Sequence, residues 1–232
     1  MDQLDAQPAV SRRFAAPIDL DEVFVDAGRR GRPRVNAVRE GAFDGPLDAE
    51  QAYWLGFIYA DGSVAYKPYW TVTVSLAAKD AGHVHALHTL LGGQVTTTTA
   101  GAARLLVHSK ALCRSLAERG ILPRKSYEPA TPPTLEHEIR RAFLRGLFDG
   151  NGCFHRTKRG HLQAAFCGHP AVVDWFCQQV AIGPNGAPRV RGGAAYAQWT
   201  SATRAADLAR LLYGGPGPRL ERKARVAAEA LA

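Results

Sequence analysis

The sequence predicts an α+β protein made of two pseudo-symmetric halves, each with the element order αββαββα. Residues 52–62 and 142–152 align without a gap at an offset of ninety residues, and both are predicted to be helices. Segments of alternating apolar and polar residues follow each helix and indicate antiparallel strands with one buried face. A repeat of this length in two copies predicts a pair of matched halves and not a solenoid.

The two matching stretches predict helices that pack against each other at the centre of the molecule. Small residues recur at every fourth position in both of them: Ala52, Gly56 and Ala60, aligned with Ala142, Gly146 and Gly150. Small side chains on one helix face let two backbones come close together. Each helix is predicted to end at a polar residue followed by glycine, with Asp61 in the first copy and Asn151 in the second.

In the first half, Asp48 and Gln51 predict a capping box at the start of the central helix. Strict alternation from Trp70 to Leu76 predicts a half-buried strand at 69–76. Further strands are predicted at 63–67, 95–99 and 103–108, and further helices at 80–91 and 109–119, followed by an irregular exit at 120–126.

The second half repeats this plan, with the added residues in loops rich in Gly and Pro. Strands are predicted at 153–158, 161–167, 189–191 and 196–200, and helices at 134–150, 170–180 and 201–213. Leu220 to Lys223 occupy the place that Pro123 to Lys125 hold in the first half. We therefore divide the chain into residues 46–128 and 129–232, preceded by residues 1–45.

Residues 1–45 are polar and are predicted to form a flexible basic arm. Their Gly-Arg-Pro cluster at 28–34 resembles an AT-hook and cannot form a stable helix. One interpretation is a solvated tail. The other is an arm that tracks DNA phosphates or enters the minor groove through Arg30, Arg32 and Arg34.

Composition favours a DNA partner and argues against a membrane protein. The net charge is +8 and the pI is about 9.6, as is common in proteins that bind polyanions. No apolar run approaches twenty residues, and the N-terminus lacks the order of a signal peptide. The four cysteines form no C-x-x-C pair, which predicts reduced thiols in a cytoplasmic protein, associated with the nucleoid through DNA.

The paired stretches 55–62 (LGFIYADG) and 145–152 (RGLFDGNG), with the Pro-Arg-Lys element after the fourth strand, resemble the LAGLIDADG homing endonucleases. The resemblance is to the single-chain form with two motifs and covers roughly residues 45–226. It implies saddle-shaped antiparallel sheets that lie along double-stranded DNA, and a monomer that cuts both strands at a specific site. It also implies Mg²⁺, or another divalent cation such as Mn²⁺, bound at the ends of the motif helices.

By this resemblance the metal ligands are Asp61 and Asn151, helped by the carbonyl groups of Ala60 and Gly150, which we expect to be free. A carboxylate at a helix C-terminus faces the negative end of the helix dipole, and a divalent cation relieves that cost. Asn151 departs from the family pattern because its amide oxygen is neutral, so unequal cutting or nicking is expected. Asp149, which aligns with Tyr59, is predicted to point away and to be structural.

Lys125 and Lys223 are related by the repeat and resemble basic residues that flank the family's metal centre. They are the remaining predicted catalytic residues, and the alternative for each is a solvated surface charge. The predicted base-reading residues share a polar strand face or its turns: Lys67, Thr71, Thr73, Arg104, His155, Arg156, Lys158, His161, Gln163, Arg189, Arg191 and Gln198. For any one of them the alternative is a solvated sheet residue.

Two other functions remain open at this point. A DNA-binding protein that has lost the chemistry would keep the same saddle, and Asn151 favours that alternative. An intein endonuclease domain is a third possibility, although no splicing block is visible. His85 and His88 share a helix face, but a metal site at His83, His85 and His88 is not predicted. No nucleophile triad or phosphate-binding glycine loop occurs.

Overall fold

The computed structural model describes residues 11–24 and 36–231. The first half contains α1 (Leu20–Val23), α2 (Ala49–Asp61), β1 (Ser63–Ala65), β2 (Thr71–Leu76), a 3-10 turn (Ala78–Asp80), α3 (Ala81–Leu91), β3 (Gln94–Thr97), β4 (Ala103–His108) and α4 (Lys110–Glu118). The second half contains α5 (His137–Asn151), β5 (Gly152–Arg156), β6 (Leu162–Gly168), α6 (Pro170–Val180), β7 (Arg189–Arg191), β8 (Ala194–Trp199), α7 (Ala202–Tyr213) and α8 (Glu221–Leu231).

Each half carries one four-stranded antiparallel sheet, and the two sheets have the same topology. The strand orders are β1-β2-β4-β3 and β5-β6-β8-β7. In the first sheet Thr73 lies opposite Leu106, and in the second Ala165 lies opposite Gln198. The predicted α+β fold with two pseudo-symmetric halves is confirmed.

Helices α2 and α5 form the centre of the molecule, as the spacing of small residues predicts. A Cβ atom added at Gly56 would overlap the carbonyl oxygen of Phe143, and one added at Gly146 would overlap that of Tyr53. The backbones are therefore in direct contact, which only glycine permits at these positions. Both helices are buried on all sides for eight consecutive residues, 52–59 and 142–149, because each lies between its own sheet and the other helix.

The capping box at the start of α2 is present, with the Asp48 side chain accepting from the Gln51 backbone and the Gln51 side chain accepting from the Asp48 backbone. Strand β1 ends at Ala65, earlier than predicted. The chain turns through residues 66–70, where Trp70 has a φ of 48°. Strand β8 begins earlier than predicted because Gly192 and Gly193, both with positive φ, form a two-residue turn directly after β7.

A few residues in the described parts of the predicted N-terminal arm contact the rest of the protein, although most of the segment is exposed. Phe43 is fully buried, Phe24 contacts the rings of Tyr66 and Trp70, and Val38 bridges to Gly92. These contacts anchor single residues of the segment, and the flexibility of residues 1–45 stays a prediction. The polar composition of residues 1–45 did not indicate that a few apolar residues, such as Phe24 and Phe43, would anchor this segment. The predicted Arg cluster, with Arg30, Arg32 and Arg34, lies outside the described residues.

Helix α8 forms where the repeat predicts only a segment like the irregular exit at 120–126. Leu220, Ala224 and Ala227 are buried at helical spacing against the second half. The element matters because it carries Lys223 into the molecule. Within the described residues, the structure contains no helix with both the length and the apolar character needed to cross a bilayer.

Candidate active site at the ends of the two motif helices

The C-terminal ends of α2 and α5 meet side by side. Asp61 is the last residue of α2 and Asn151 is the last residue of α5, and an extended glycine follows each. A Cβ atom added at Gly150 would overlap that of Ala60 and lie 3.4 Å from the Asp61 carboxyl carbon. Close helix packing thus brings the end of α5, at Gly150, against the Asp61 carboxylate at the end of α2.

Asp61 is exposed as a residue, yet its carboxyl group is crowded by neighbouring protein atoms. This partial burial raises the pKa of Asp61, and the positive charges of Lys223, Lys125 and Arg222 oppose the rise. Of these cations, Lys223 has the strongest effect. The Asp61 carboxylate is therefore held among cations that come from both halves of the chain.

Lys125 lies in the loop that leaves α4, where Arg124 adopts a φ of 60°. Its side chain is buried, and its Nζ donates a 2.9 Å hydrogen bond to the Ala60 carbonyl at the end of α2. Burial lowers the pKa of Lys125 to about 8, against the opposing pull of Asp61. The Ala60 carbonyl is thus not free as expected, although its second lone pair remains available.

Lys223 occupies the corresponding position at the end of α5. It is buried, and its Nζ donates hydrogen bonds to the carbonyl of Phe148, at 3.0 Å, and to that of Asp149. Burial lowers the pKa of Lys223 to about 8, while the negative charge of Asp149 acts in the opposite direction. Both predicted lysines are therefore buried beside the helix ends, and neither is a solvated surface charge.

A cavity of about 510 Å³ opens beside the Asn151 end of α5. Lys125 and Ala60 line it from the first half, and Asn151, Cys167 and His169 line it from the second. The Cys167 thiol donates a 3.5 Å hydrogen bond to the Asn151 carbonyl. Lys125 of the first half thus shares this cavity with Asn151 of the second. Conversely, Lys223 of the second half is the cation that acts most strongly on Asp61 of the first.

Asp149 faces the protein interior and not the helix ends, as predicted from its place on α5. The carboxylate is almost fully buried and accepts hydrogen bonds from the Tyr53 hydroxyl, the Tyr213 hydroxyl and the Leu220 N–H. Burial raises the pKa of Asp149, and these donors oppose the rise. His83 joins the same network through a 2.8 Å contact between its Nε2 and the Tyr53 hydroxyl.

The polar sides of the two sheets bring together most of the predicted base-reading residues. Thr71, Thr73 and Arg104 share one side of the first sheet, because they alternate with buried residues on β2 and β4. On the second sheet the His155 ring and the Gln163 side chain are 3.0 Å apart. The same side also holds Gln198 with Arg189 and Arg191, placed by the register of β7 and β8.

Other predicted residues lie elsewhere. Arg156 is paired with the buried Leu162, so it belongs to the side of β5 covered by helices. There it donates to the Gly160 carbonyl and lies 3.8 Å from Glu229 of α8. Lys67 lies in the turn between β1 and β2, and Lys158 and His161 lie in the turn between β5 and β6. These three are exposed at the ends of the strands.

The register adds residues that the sequence reading missed. Ser75, Gln94, Thr96 and His108 share the polar side of the first sheet, and Tyr196, which is 41% exposed, shares that of the second. Alternation within β2 and β4 was sufficient to predict Ser75 and His108. The exposed ring of Tyr196 could be assigned to this side only from the position of β8 within the sheet.

The residues at the helix ends fit a divalent cation that completes its coordination with substrate. Over residues 11–24 and 36–231, no group of three or more His, Cys, Asp or Glu side chains is placed to hold a metal ion. Asp61 offers one carboxylate, and Asn151 and the backbone offer neutral oxygens. This donor set suits Mg²⁺, which commonly takes one or two carboxylates together with phosphate oxygens and water.

No protein-family model matches the sequence, and no curated protein matches it. Solved structures do match. The LAGLIDADG meganuclease I-AabMI bound to uncleaved DNA has a TM-score of 0.56 at 11% identity, covering 79% of this chain and 89% of its own. I-CpaMI bound to uncleaved DNA gives 0.58 at 8% identity, with coverages of 80% and 91%. I-SmaMI bound to cleaved DNA gives 0.53 at 14% identity, with coverages of 81% and 90%.

These similarities agree with the two motif helices, the paired sheets and the glycine contacts described above. At such low identity they establish the fold and leave the chemistry to the residues of the site. The chain has the LAGLIDADG fold in its single-chain form, with both motif helices in one polypeptide.

Proposed function

We propose that this protein is a site-specific, metal-dependent endonuclease that acts on double-stranded DNA as a monomer and cuts the two strands at unequal rates. The observation that carries the proposal is the Asp61 carboxylate at the junction of the two helix ends, close to Lys125 and Lys223. The fold is also that of I-SmaMI, which has been solved with cleaved DNA. Such an enzyme would work at the nucleoid.

DNA would bind along the polar sides of the two sheets. Arginine and glutamine side chains at Arg104, Arg189, Arg191, Gln163 and Gln198 offer the donors that read guanine and adenine edges in the major groove. The net charge of +8 supplies the long-range attraction to phosphates. The helix ends lie between the two sheets, so a duplex along both sheets would bring its backbone to Asp61 and Asn151.

Asp61, with the Ala60 carbonyl and the Asn151 side-chain oxygen, would hold Mg²⁺ or another divalent cation such as Mn²⁺. When bound, such a cation lowers the pKa of water and stabilises charge on a phosphate. The chain's own contribution is to orient the lysines. Each Nζ is fixed by a motif-helix carbonyl, so an ammonium group is already aimed at the helix ends before DNA arrives.

Both lysines are buried with their Nζ on motif-helix carbonyls, so either ammonium group is placed to stabilise negative charge on a phosphate at the helix ends. The inequality between strands follows from Asn151. The helix end that shares a cavity with Lys125 supplies an uncharged amide where the other supplies a carboxylate.

The experiment begins with selection of bound duplexes from a randomised library, because the target sequence is unknown. The selected site is placed in a supercoiled plasmid and incubated with the protein and Mg²⁺, with Asp61→Asn as the control. We expect open circles to accumulate before linear DNA, and no product with the control or with EDTA. Sequence-specific binding with no metal-dependent cutting would reject the nuclease and leave the non-catalytic DNA-binding alternative, which Asn151 favours.

A further inference from the structure

Helix α8, which carries Lys223 of the second half, is held in place by residues of the first half. The Leu220 N–H, at the start of this helix, donates a 2.8 Å hydrogen bond to the Asp149 carboxylate. The Leu220 carbonyl in turn accepts from the backbone of Lys223 at 2.9 Å and of Ala224 at 3.1 Å. Asp149 therefore fixes the first turn of α8, and its own carbonyl accepts from the Lys223 side chain.

The Asp149 carboxylate is oriented in turn by the first half. The Tyr53 hydroxyl, on α2, donates to it at 2.8 Å. Since this hydroxyl has one proton, His83 must donate to the Tyr53 oxygen through Nε2–H across their 2.8 Å contact. Burial lowers the pKa of His83 to about 4, so its ring stays neutral and keeps this tautomer at physiological pH.

A second contact crosses between the halves at the same turn. Arg222, next to Lys223, donates from Nε to the Asp80 carboxylate at 3.0 Å. The Asp80 side chain is only 9% exposed, so this ion pair is better shielded from solvent than an ordinary surface pair. The first turn of α8 is thus tied to the first half through Tyr53 and through Asp80.

Among the described residues, the repeat positions give Lys125 no equivalent contacts. The position that matches Tyr53 is Phe143, which has no hydroxyl, and the position that matches Asp149 is Tyr59. The Tyr59 hydroxyl donates instead to the Ala130 carbonyl in the segment that joins the halves. The two lysines are therefore related by the repeat but are supported by different contacts.

We propose that Tyr53 and Asp80 are positioning residues for Lys223, so that one of the two DNA-cutting centres depends on contacts from the opposite half. This inference rests on the proposed nuclease function for its kinetic consequence. Its structural part, the control of the first turn of α8 by Tyr53 and Asp80, can be measured without DNA or metal.

The test uses Tyr53→Phe, which removes one hydroxyl and keeps the ring. The matched control is Tyr66→Phe, because the Tyr66 hydroxyl is buried without a hydrogen-bond partner among the described residues. Amide hydrogen exchange in residues 220–224 is compared between the two variants and the wild type. We expect faster exchange in Tyr53→Phe and no change in Tyr66→Phe, since only the former loses a bond that orients Asp149.

The kinetic arm measures single-turnover cleavage of each DNA strand, labelled separately. Lys223→Met first identifies the strand that depends on Lys223. Tyr53→Phe and Asp80→Asn should slow that strand by about tenfold or more while the other strand and the dissociation constant for DNA are unchanged. Asp80→Glu, which keeps the charge for Arg222, should restore most of the rate.

Unchanged exchange in Tyr53→Phe would overturn the proposal, and so would equal slowing of both strands together with a lower melting temperature. If the wild type cut no DNA, the proposed nuclease function would be rejected. The exchange comparison between Tyr53→Phe and Tyr66→Phe would then decide by itself whether Tyr53 positions α8.

Discussion

Asn151 is the residue at which the two halves differ most in their chemistry. It lines a cavity with Lys125, and its side-chain nitrogen lies 3.4 Å from the position a Cβ would take at Gly168. The alignment of 52–62 with 142–152 predicted both the position and the departure, because the register leaves no other residue opposite Asp61. What alignment could not predict is that Asn151 shares a cavity with the lysine of the other half.

Changing Asn151 to Asp should raise the rate of the slower strand cut. The variant has almost the same shape and adds a negative charge beside the Lys125 ammonium, which favours a divalent cation at that helix end. The measurement is the ratio of linear to open-circular plasmid over time with Mg²⁺. We expect linear DNA to appear at least about fivefold sooner, on the basis that one added charge contributes about 1 kcal/mol or more.

Asp61→Asn is the matched comparison, since it makes the reverse change at the other helix end. It should abolish both cuts and leave the plasmid closed, because it removes the one carboxylate that the two helix ends offer to a cation. If Asn151→Asp left the product ratio unchanged, the amide would not be the cause of unequal cutting.

The two lysines make the stability of the protein depend on pH in the alkaline range. Burial lowers the pKa of Lys125 from 10.5 to about 8, so the folded state binds this proton less tightly than the unfolded state. Between pH 8 and 10.5 the unfolded chain binds more protons, and the free energy of unfolding contributed by Lys125 therefore rises with pH. The full change is on the order of 3 kcal/mol for one lysine.

Thermal melts of the wild type and of Lys125→Met between pH 7 and pH 10 check this expectation. The melting temperature of the wild type should rise relative to that of the variant as the pH increases through this window. Lys158→Met is a suitable control for the loss of a lysine in another environment, because Lys158 is exposed in the turn between β5 and β6. A constant difference between wild type and Lys125→Met would mean that Lys125 is not desolvated.

Sequence alone predicted both lysines near the helix ends, through their repeat position after the fourth strand and the resemblance to the LAGLIDADG family. It did not predict their burial or their bonds to motif-helix carbonyls, because those depend on how α4 and α8 return to the helix ends. For Arg156 the strand was predicted correctly, but the side of the sheet was not. The side depends on the strand register, and in the observed register Arg156 pairs with the buried Leu162.

At the level of elements, α2 and α5 were the most predictable parts of the fold. The glycine spacing that identified them is the same feature that lets their backbones touch. The start of α8 was less predictable, since Gly214 to Pro218 interrupt the chain just before it. Arg145, buried on α5, stabilises this interruption by donating to the carbonyls of Leu212, Gly215 and Pro216. Such a contact between distant residues leaves no local pattern in the sequence.

Gly146→Ala should destabilise the protein strongly because the added methyl group meets the Tyr53 backbone and must force the helices apart. The expected loss is about 3 kcal/mol, as for overpacking in a rigid core. Gly82→Ala in α3 provides the matched control, since nothing lies within 4 Å of its added methyl group. It should stabilise the protein by about 0.5 kcal/mol through helix propensity.

Chemical denaturation of the three proteins measures both changes. Opposite signs for the two variants would support close contact between the motif helices, because helix propensity alone favours alanine at both sites. A stabilising Gly146→Ala would contradict it.

At the scale of the whole molecule, the two sheets present their polar sides as a pair, and the helices cover the opposite sides. Helices α3 and α4 pack on the first sheet, and α6 and α7 pack on the second. Basic residues occur on both surfaces. Arg104 and Arg191 lie on the open sides of the sheets, whereas Arg210 of α7 lies among the helices and pairs with Asp207 at 2.7 Å. A DNA interface along the sheets therefore predicts unequal roles for arginines that carry the same charge.

The salt dependence of DNA binding tests this difference. Each phosphate contact that a basic side chain makes contributes about one to the slope of log K against log salt concentration. Arg104→Gln and Arg191→Gln should each weaken binding. A variant whose arginine contacts phosphate should reduce the slope by about one, and a variant whose arginine reads a base should lose sequence preference with little change in slope.

Arg210→Gln removes the same charge from the helix side and should change neither the affinity nor the slope, because that surface does not face the duplex. Fluorescence anisotropy with the selected duplex and a scrambled duplex, over a range of KCl concentrations, separates these outcomes. If Arg210→Gln lowered the slope as much as Arg104→Gln, the duplex would not lie along the sheets. The positions of Asp61 and Asn151 between them would then lose their connection to the DNA backbone.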